Sequence, residues 1–118
     1  MGNKSLTYQK GVWAERFAAV FLILKGYRIC SVRYKTPVGE VDLIMRRGRS
    51  LVFCEVKYRR DYEQGITAIS PISQRRIQRA ASLFIAGKDG LAQMDMRFDA
   101  IIISPPFYIK HLRNAWTS

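Results

Sequence analysis

Acidic residues are scarce in this sequence, whereas lysine and arginine are abundant. The 118-residue chain has 20 lysines and arginines against 9 aspartates and glutamates, which gives a formal net charge of +11 at pH 7. A cationic excess of this size predicts a polyanionic partner, most often nucleic acid. A basic protein without such a partner is the alternative.

Residues suited to zinc are also few. The sequence has two cysteines, Cys30 and Cys54, and a single histidine, His111, which excludes a zinc site of the usual Cys/His spacing. Both cysteines lie in apolar, strand-like runs, so we expect buried free thiols. We expect the histidine, which lies in a basic segment, to be exposed.

Long apolar runs are absent. The run at residues 18–24 is too short to cross a bilayer, and no signal peptide is visible. We therefore expect a cytoplasmic protein without membrane association. Internal repeats and linkers are absent as well, so residues 1–118 are predicted to form one domain, with residues 1–6 mobile.

Hydrophobic spacing predicts two helices. The first covers about residues 7–25 and ends at Gly26, a favourable C-terminal cap. The second covers about residues 71–86, with Ser70 as its N-cap and Pro71 at its first position. The buried stripe of the first helix is predicted to be Trp13, Phe17, Val20, Phe21 and Leu24.

Apolar and β-branched runs predict five strands. They are expected at about 27–34, in two arms of a hairpin within 39–57, at 96–104 and at 107–112, with a polar loop at 59–65. With a helix packed on each side, these strands make an α/β fold.

The hairpin is the most informative stretch, with its turn at Gly48. A two-residue loop with glycine first suits a type II′ turn, and that turn fixes the register of pairing. Counting inward places Asp42 opposite Glu55, and Glu40 opposite Lys57. Because side chains two residues apart share a face, all four are predicted to point the same way.

Facing carboxylates are costly, because they repel each other and because burial removes them from water. A divalent cation with oxygen ligands would offset this cost, and so would the ammonium group of Lys57. A solvated strand face that carries a Glu–Lys pair is the alternative. Ile44 and Phe53, which are predicted to lie on the same face, are apolar and weigh against it.

The second helix is strongly basic on one side. Its polar face is formed by Gln74, Arg75, Arg76, Gln78 and Arg79. No acid on the helix balances the three arginines, which favours contact with phosphates. A solvated helix surface is the alternative.

Several motifs together resemble the YraN-like family of small bacterial proteins. They are Glu15 on the first helix, Gly39-Glu40-Val41-Asp42-Leu43-Ile44, Phe53-Cys54-Glu55-Val56-Lys57, and Arg97-Phe98-Asp99. That family is grouped with the PD-(D/E)XK nuclease superfamily, which includes restriction endonucleases and archaeal Holliday-junction resolvases. The resemblance implies a restriction-endonuclease-like α/β core, in which a central mixed sheet of about five strands has helices on both faces.

The resemblance also implies a catalytic site. Asp42, Glu55 and the backbone carbonyl of Val56 would hold Mg²⁺, with Mn²⁺ as a substitute. Lys57 would orient the attacking water or stabilise the added negative charge. Glu15, which a favourable helix dipole could also explain, matches the helix acid that completes or supports the metal site. The nucleic-acid backbone would be held by Gln74, Arg75, Arg76 and Arg79, with Glu40 in a supporting role.

Three functions are compatible with these features. The first is a metal-dependent endonuclease that hydrolyses phosphodiester bonds in DNA, including branched or structured DNA. The second is a nucleic-acid-binding module that keeps the fold without cleavage, and the third is a basic adaptor for an acidic protein. The intact set of acids and Lys57 favours the first, because a decayed nuclease is expected to lose at least one of them. A homodimer is compatible with each.

Overall fold

The computed structural model describes residues 2–88 and 90–116, with side chains described from residue 11 onward. Its elements are α1 (Gly2–Leu24), β1 (Arg28–Thr36), β2 (Gly39–Arg47), β3 (Ser50–Tyr58), α2 (Tyr62–Ala68), α3 (Pro71–Ala86), a short 3-10 turn (Leu91–Gln93), β4 (Asp95–Ser104) and β5 (Tyr108–Trp116). The mobility expected of residues 1–6 stays a prediction, and Met1 lies outside the described residues. None of the helices in the described ranges is both long and apolar enough to span a bilayer.

All five strands form one sheet in the order β1-β2-β3-β4-β5. β3 and β4 are parallel, and every other neighbouring pair is antiparallel. A parallel pair needs a crossover connection, which α2 and α3 supply here. The predicted α/β fold with a mixed five-stranded sheet is therefore confirmed, and it is compatible with a nuclease-like core.

Helices cover both faces of the sheet. The α1 face carries Leu43, Met45, Val52, Cys54, Val56, Ile101 and Ile103. The α3 face, which is covered by α2 and α3, carries Val41, Ile44, Leu51, Phe53, Phe98, Ala100 and Ile102. Burial on both faces explains why the central strands are almost continuous apolar runs.

Helix α1 differs from its prediction in two respects. It begins at Gly2 rather than near residue 7. Trp13, Val20 and Leu24, from the predicted stripe, are exposed. The residues that face the sheet are Ala14, Ala18, Ala19 and Leu22. Alanine side chains let the helix backbone approach the strands closely, so the small face is the one that packs.

Both predicted helix caps are confirmed. Gly26 has a φ of 94°, and the N–H of the next residue donates to the carbonyl of Leu22 at 3.0 Å, as in a Schellman cap. At the start of α3, the hydroxyl of Ser70 accepts a hydrogen bond from the N–H of Ser73 at 3.2 Å, and Pro71 is the first helical residue.

Two segments are more ordered than the sequence predicts. The polar loop expected at residues 59–65 contains the start of α2, because Asp61 caps that helix by accepting from the N–H of Gln64. β5 extends to Trp116 rather than residue 112, because β4 offers it a longer antiparallel partner.

The environments of two titratable residues also differ from expectation. Cys30 is exposed because it lies on the edge strand β1, whereas Cys54 is buried as predicted. The side chain of His111 is only 3% exposed, because a buried carboxylate on β4 binds its ring. The expectation of an exposed histidine is therefore wrong.

Candidate active site

The hairpin formed by β2 and β3 pairs in the predicted register. Arg47 lies opposite Ser50, and the pairing continues inward to Leu43 opposite Cys54. Gly48 has a φ of 59°, the positive value that the first position of a type II′ turn requires. The turn therefore sets the register, as expected from the sequence.

Backbone pairing ends just before the acids. Within the described hairpin, no ladder pair joins β2 to β3 beyond Leu43 and Cys54. Instead, the N–H of Val56 donates to Oδ2 of Asp42 at 2.8 Å. A side-chain carboxylate thus takes the role that a backbone carbonyl of β2 would have in a continued antiparallel ladder.

The alternation of side chains along β2 is broken at the same place. Val41 and Ile44 both lie on the α3 face although they are three residues apart, and Leu43 lies on the α1 face. In a regular strand, residues on one face are separated by an even number of positions. Glu40, the neighbour of Val41, therefore lies on the α1 side of β2, and Asp42 stands where the alternation breaks, between residues of opposite faces.

β3 alternates regularly, so Glu55 and Lys57 lie on the α3 side with Phe53. The prediction that all four charged residues share one face is therefore wrong. Counting residues inward from the turn gives a shared face only if both strands are regular, and β2 is irregular beside Asp42. That residue meets Glu55 at the border between the faces, whereas Glu40 and Lys57 lie on opposite sides.

The carboxyl group of Glu55 lies close enough to that of Asp42 to raise its pKa, through its charge and through hydrogen bonding. Burial, together with the negative charge of Glu55, raises the pKa of Asp42 to about 8. The hydrogen bond from Val56 and the positive charge of Lys57 act in the opposite direction. Asp42 therefore holds a proton at neutral pH.

Lys57 lies beside this pair. Its Nζ is 3.3 Å from Oε1 of Glu55, and the two side chains are 22% and 13% exposed. A lysine that is partly open to solvent and next to a half-buried carboxyl pair can donate to a negatively charged group that enters the site.

Glu15 reaches the other side of Asp42 from helix α1. Its Oε1 accepts from Nε of Arg33 at 2.6 Å. Burial raises the pKa of Glu15, the hydrogen bond from Arg33 lowers it, and the charges of Asp42 and Glu40 raise it again. Glu15 therefore belongs to the same electrostatic cluster as Asp42, with its carboxylate directed to an arginine.

Arg33 is a residue of this cluster that the sequence patterns do not predict. Its backbone has a φ of 53°, in the left-handed region that residues other than glycine rarely adopt. β1 also shifts register between Ile29 and Ser31. No sequence pattern signals an arginine in this conformation, and a regular strand would have given no reason to pair it with Glu15.

A cavity of about 220 Å³ opens beside these residues. Glu15, Arg33, Lys35, Glu40 and Asp42 line it. The structure thus brings together three of the predicted acids, and Glu40 has a place that suits a supporting role. Glu55 and Lys57 border Asp42 from β3 and are not part of the lining.

The arrangement of acids bears on a metal ion. Among the described residues, no three histidine, cysteine, aspartate or glutamate side chains are close enough to hold one. The compact donor set is Asp42 with Glu55, because Glu15 is bound to Arg33. Two carboxyl groups in contact are oxygen donors of the kind that Mg²⁺ takes in proteins. A role for the Val56 carbonyl stays a prediction.

The basic face of α3 lies next to the start of the hairpin. Arg75, Arg76 and Arg79 are exposed, as predicted. Gln74 is half-buried, and its side-chain amide donates to the carbonyl of Ile69 at 3.4 Å. Gly39, at the beginning of β2, packs against the backbone of α3 at Arg76 so closely that a Cβ would overlap it. The arginines and the acids are therefore carried by directly packed elements.

A second charged cluster surrounds Asp99, which is fully buried on the α1 side. Nε and Nη2 of Arg97 donate to its two oxygens at 2.9 and 2.8 Å, Nε2 of His111 lies 2.6 Å from Oδ2, and the N–H of Asn114 donates to Oδ1. Burial raises the pKa of Asp99, but these hydrogen bonds outweigh burial and lower it.

This cluster ties the segment between α1 and β1 to the far strands. Nη2 of Arg97 also donates to the hydroxyl of Tyr27 at 2.6 Å, and Nζ of Lys25 lies 2.9 Å from Nδ1 of His111. Every Asp99 oxygen is bound by a protein group, so we assign this cluster to stability. The sequence signal was Asp99 itself, an acid within a strongly apolar strand.

The chain was compared with known proteins. A family model described as "Uncharacterised protein family UPF0102" matches residues 14–103. A UPF0102 protein of Parvibaculum lavamentivorans is 43% identical over 109 residues, which cover 92% of this chain and 82% of the relative. One of Maricaulis maris is 40% identical over 107 residues, covering 91% and 84%. One of Brucella canis is 39% identical over 116 residues, covering 98% and 92%.

The relatives are bacterial, and the matches extend over most of each chain. They confirm the resemblance to the YraN-like family, and they attach no activity to it. The chain belongs to the UPF0102 family.

Proposed function

We propose that this protein is a metal-dependent endonuclease that hydrolyses phosphodiester bonds in DNA, including branched or structured DNA. The observation that carries the proposal is the half-buried pair of Asp42 and Glu55, in which the pKa of Asp42 is raised to about 8 and Nζ of Lys57 lies 3.3 Å from Oε1 of Glu55. A purely structural site has no need of two carboxyl groups in contact, because their repulsion and desolvation are both unfavourable. A net charge of +11 supplies the affinity for a polyanionic substrate.

Asp42 and Glu55 would hold Mg²⁺ or Mn²⁺, with the carbonyl of Val56 as a further ligand. When bound, such an ion polarises the scissile phosphate and lowers the pKa of a bound water. The proton held by the pair must leave as the cation binds, so we expect metal affinity to rise with pH up to about the pKa of Asp42. The Val56 N–H would keep the Asp42 carboxylate in place throughout.

Lys57 would act on the substrate. Its ammonium group lies beside Glu55 and is partly open to solvent, so it can donate to a non-bridging phosphate oxygen or to the attacking water. Glu15, held by Arg33, would support the site through its charge and through the cavity that it lines with Asp42. Arg75, Arg76 and Arg79 would bind the phosphates that flank the scissile one.

The test is a cleavage assay on a panel of single-stranded, duplex and branched DNA, each with Mg²⁺, with Mn²⁺ and with chelator. We expect wild-type protein to cut at least one substrate only when the metal is present. The Lys57→Met variant should bind the same DNA without cutting it. Metal-independent cutting, or equal cutting by the variant, would contradict the proposal.

A non-catalytic nucleic-acid-binding module is the second candidate. One observation favours it: Glu15 is bound to Arg33, which leaves two acids at the compact donor set among the described residues. A binding module should retain DNA affinity and its dependence on salt, and it should cut no member of the panel with either metal.

A further inference from the structure

A second cavity lies one strand away from Lys57. In the parallel ladder, Lys57 of β3 is the partner of Ile102 of β4, and Ile102 lies on the α3 face. This residue forms the floor of a cavity of about 440 Å³, whose walls include Arg60, Tyr62, Tyr108 and Lys110. The cavity is thus next to the candidate active site and on the same side of the sheet as Lys57.

Two aromatic and two cationic side chains line this cavity. Tyr108 is 70% exposed at the start of β5, so most of its ring is open to solvent. Nζ of Lys110 lies 4.4 Å from the ring centre of Tyr62, and Arg60 is exposed at the rim. Exposed aromatic rings beside lysine and arginine are the combination that binds single-stranded nucleic acid, by stacking on bases and pairing with phosphates.

One acid, Asp61, also lines the cavity. Its Oδ1 accepts from the N–H of Gln64 at 2.9 Å as the N-cap of α2. Arg60 and Lys110 therefore outnumber it, and the cavity keeps a positive balance. This charge suits a phosphate group beside an aromatic ring.

We propose that this cavity binds one unpaired nucleotide of a single-stranded DNA segment. The base would stack on the exposed ring of Tyr108, and the adjacent phosphates would pair with Arg60 and Lys110. A base inside a duplex has both faces covered by its neighbours, whereas an unpaired base can offer a free face to the ring. The inference rests on the proposed function, and it narrows the substrate to DNA with a single-stranded segment next to the scissile phosphate.

Phe107 provides a matched control. It is the residue before Tyr108 and is 68% exposed, so the two aromatic side chains have nearly the same solvent exposure. Its ring lies 6.3 Å from Trp13 of α1, whereas Tyr108 lines the cavity beside α2. Removal of a general apolar surface would affect both variants, and removal of base stacking in the cavity would affect Tyr108 alone.

The test measures binding of a short single-stranded oligonucleotide that carries the fluorescent base analogue 2-aminopurine, and of a blunt duplex of the same sequence, in chelator. Stacking on Tyr108 should quench the fluorescence of the analogue. Tyr108→Ala should abolish the quenching and weaken single-strand binding by on the order of tenfold. Tyr108→Ala should leave duplex binding unchanged. Tyr108→Phe, which keeps an aromatic ring, should show the quenching and the single-strand affinity of the wild type. Phe107→Ala should behave as wild type.

Equal single-strand affinity and quenching in wild type and Tyr108→Ala would overturn the inference. If the protein nevertheless cuts DNA with metal and no longer cuts it as Lys57→Met, the proposed function stands without this site. If no DNA binds to the wild-type protein at all, both proposals fail together. An equal loss of affinity in Phe107→Ala and Tyr108→Ala would also overturn the inference, because it would indicate a broad apolar surface instead of a nucleotide site.

Discussion

The backbone N–H of Val56 donates to Oδ2 of Asp42 at 2.8 Å, so the neighbouring strand fixes the carboxyl group of the central acid. An asparagine at position 42 can accept the same hydrogen bond through its side-chain oxygen. Asp42→Asn therefore removes a carboxyl group that can titrate and carry a negative charge, and it keeps the hydrogen bond between β2 and β3.

The first prediction concerns stability and pH in chelator. The folded protein keeps a proton on Asp42 up to about pH 8, whereas the unfolded chain releases it near the ordinary value of 3.8. The contribution of Asp42 to the free energy of unfolding is therefore complete below about pH 3.8, and it is lost as the pH rises to about 8. Asp42→Asn should remove that part of the slope in denaturant titrations. Asp95→Asn, an exposed aspartate on β4, should leave it unchanged, and equal slopes in all three proteins would contradict the prediction.

The second prediction concerns metal. Mg²⁺ or Mn²⁺ should raise the melting temperature of the wild-type protein at pH 8, because a ligand that binds only the folded state stabilises it by mass action. Asp42→Asn should not show this rise while remaining folded. A metal response that is the same in wild type and variant would place the binding site elsewhere.

The third prediction concerns Lys57. Lys57→Met should reduce the single-turnover cleavage rate by on the order of 10²–10³, the usual loss when one stabiliser of transition-state charge is removed. DNA affinity and melting temperature should change little, because the side chain is partly open to solvent. Lys35→Met, which removes an equal charge from the nearby cavity, is the control and should keep cleavage. Equal rates in the two variants would exclude a specific role for Lys57.

The fourth prediction concerns the arginines of α3. Combined substitution of Arg75, Arg76 and Arg79 by alanine should weaken DNA binding. The slope of log affinity against log salt concentration should also become shallower, by roughly 0.7–0.9 for each phosphate that the variant no longer binds. The matched control substitutes the three exposed arginines at the hairpin tip, Arg46, Arg47 and Arg49. Both triple variants remove the same charge, so an equal effect would indicate a general field rather than a binding surface on α3.

The fifth prediction concerns the buried cluster around Asp99. Asp99→Asn leaves Arg97 without its buried counter-ion, so it should reduce the free energy of unfolding by about 3–5 kcal/mol. Denaturant titration at neutral pH measures this reduction, and Asp95→Asn on the same strand should cost far less. A small reduction in Asp99→Asn would show that the cluster contributes little to stability.

The sequence predicted those features of the fold that local chemistry determines. Gly48 fixed the hairpin register, and Gly26 and Ser70 marked the helix boundaries, because each has a conformational or hydrogen-bonding preference that acts over a few residues. The buried side of α1 could not be predicted in the same way. Whether the large or the small residues of α1 face the sheet depends on how closely the helix approaches it, which is a tertiary property.

The candidate site was predictable in its composition and less so in its geometry. Asp42 and Glu55 meet as expected, but the irregularity in β2 moves Glu40 away from Lys57. The hydrogen bond from Val56 to Asp42 is what replaces the ladder there, and no count of alternating residues contains it. The pairing of Arg33 with Glu15 depends on a left-handed backbone within a strand, which has no sequence signature.

The close packing of Gly39 on the backbone of α3 at Arg76 has a consequence for how this protein can vary. At this contact the backbone of β2 touches the backbone of α3, and no side chain lies between them. Main-chain atoms alone therefore set the distance between α3, which carries the arginines, and β2, which carries Asp42. Even alanine at position 39 would push the helix outward and carry its arginines with it. Main-chain contact thus fixes the distance between α3 and β2. A change of substrate must therefore come from the side chains around these two elements.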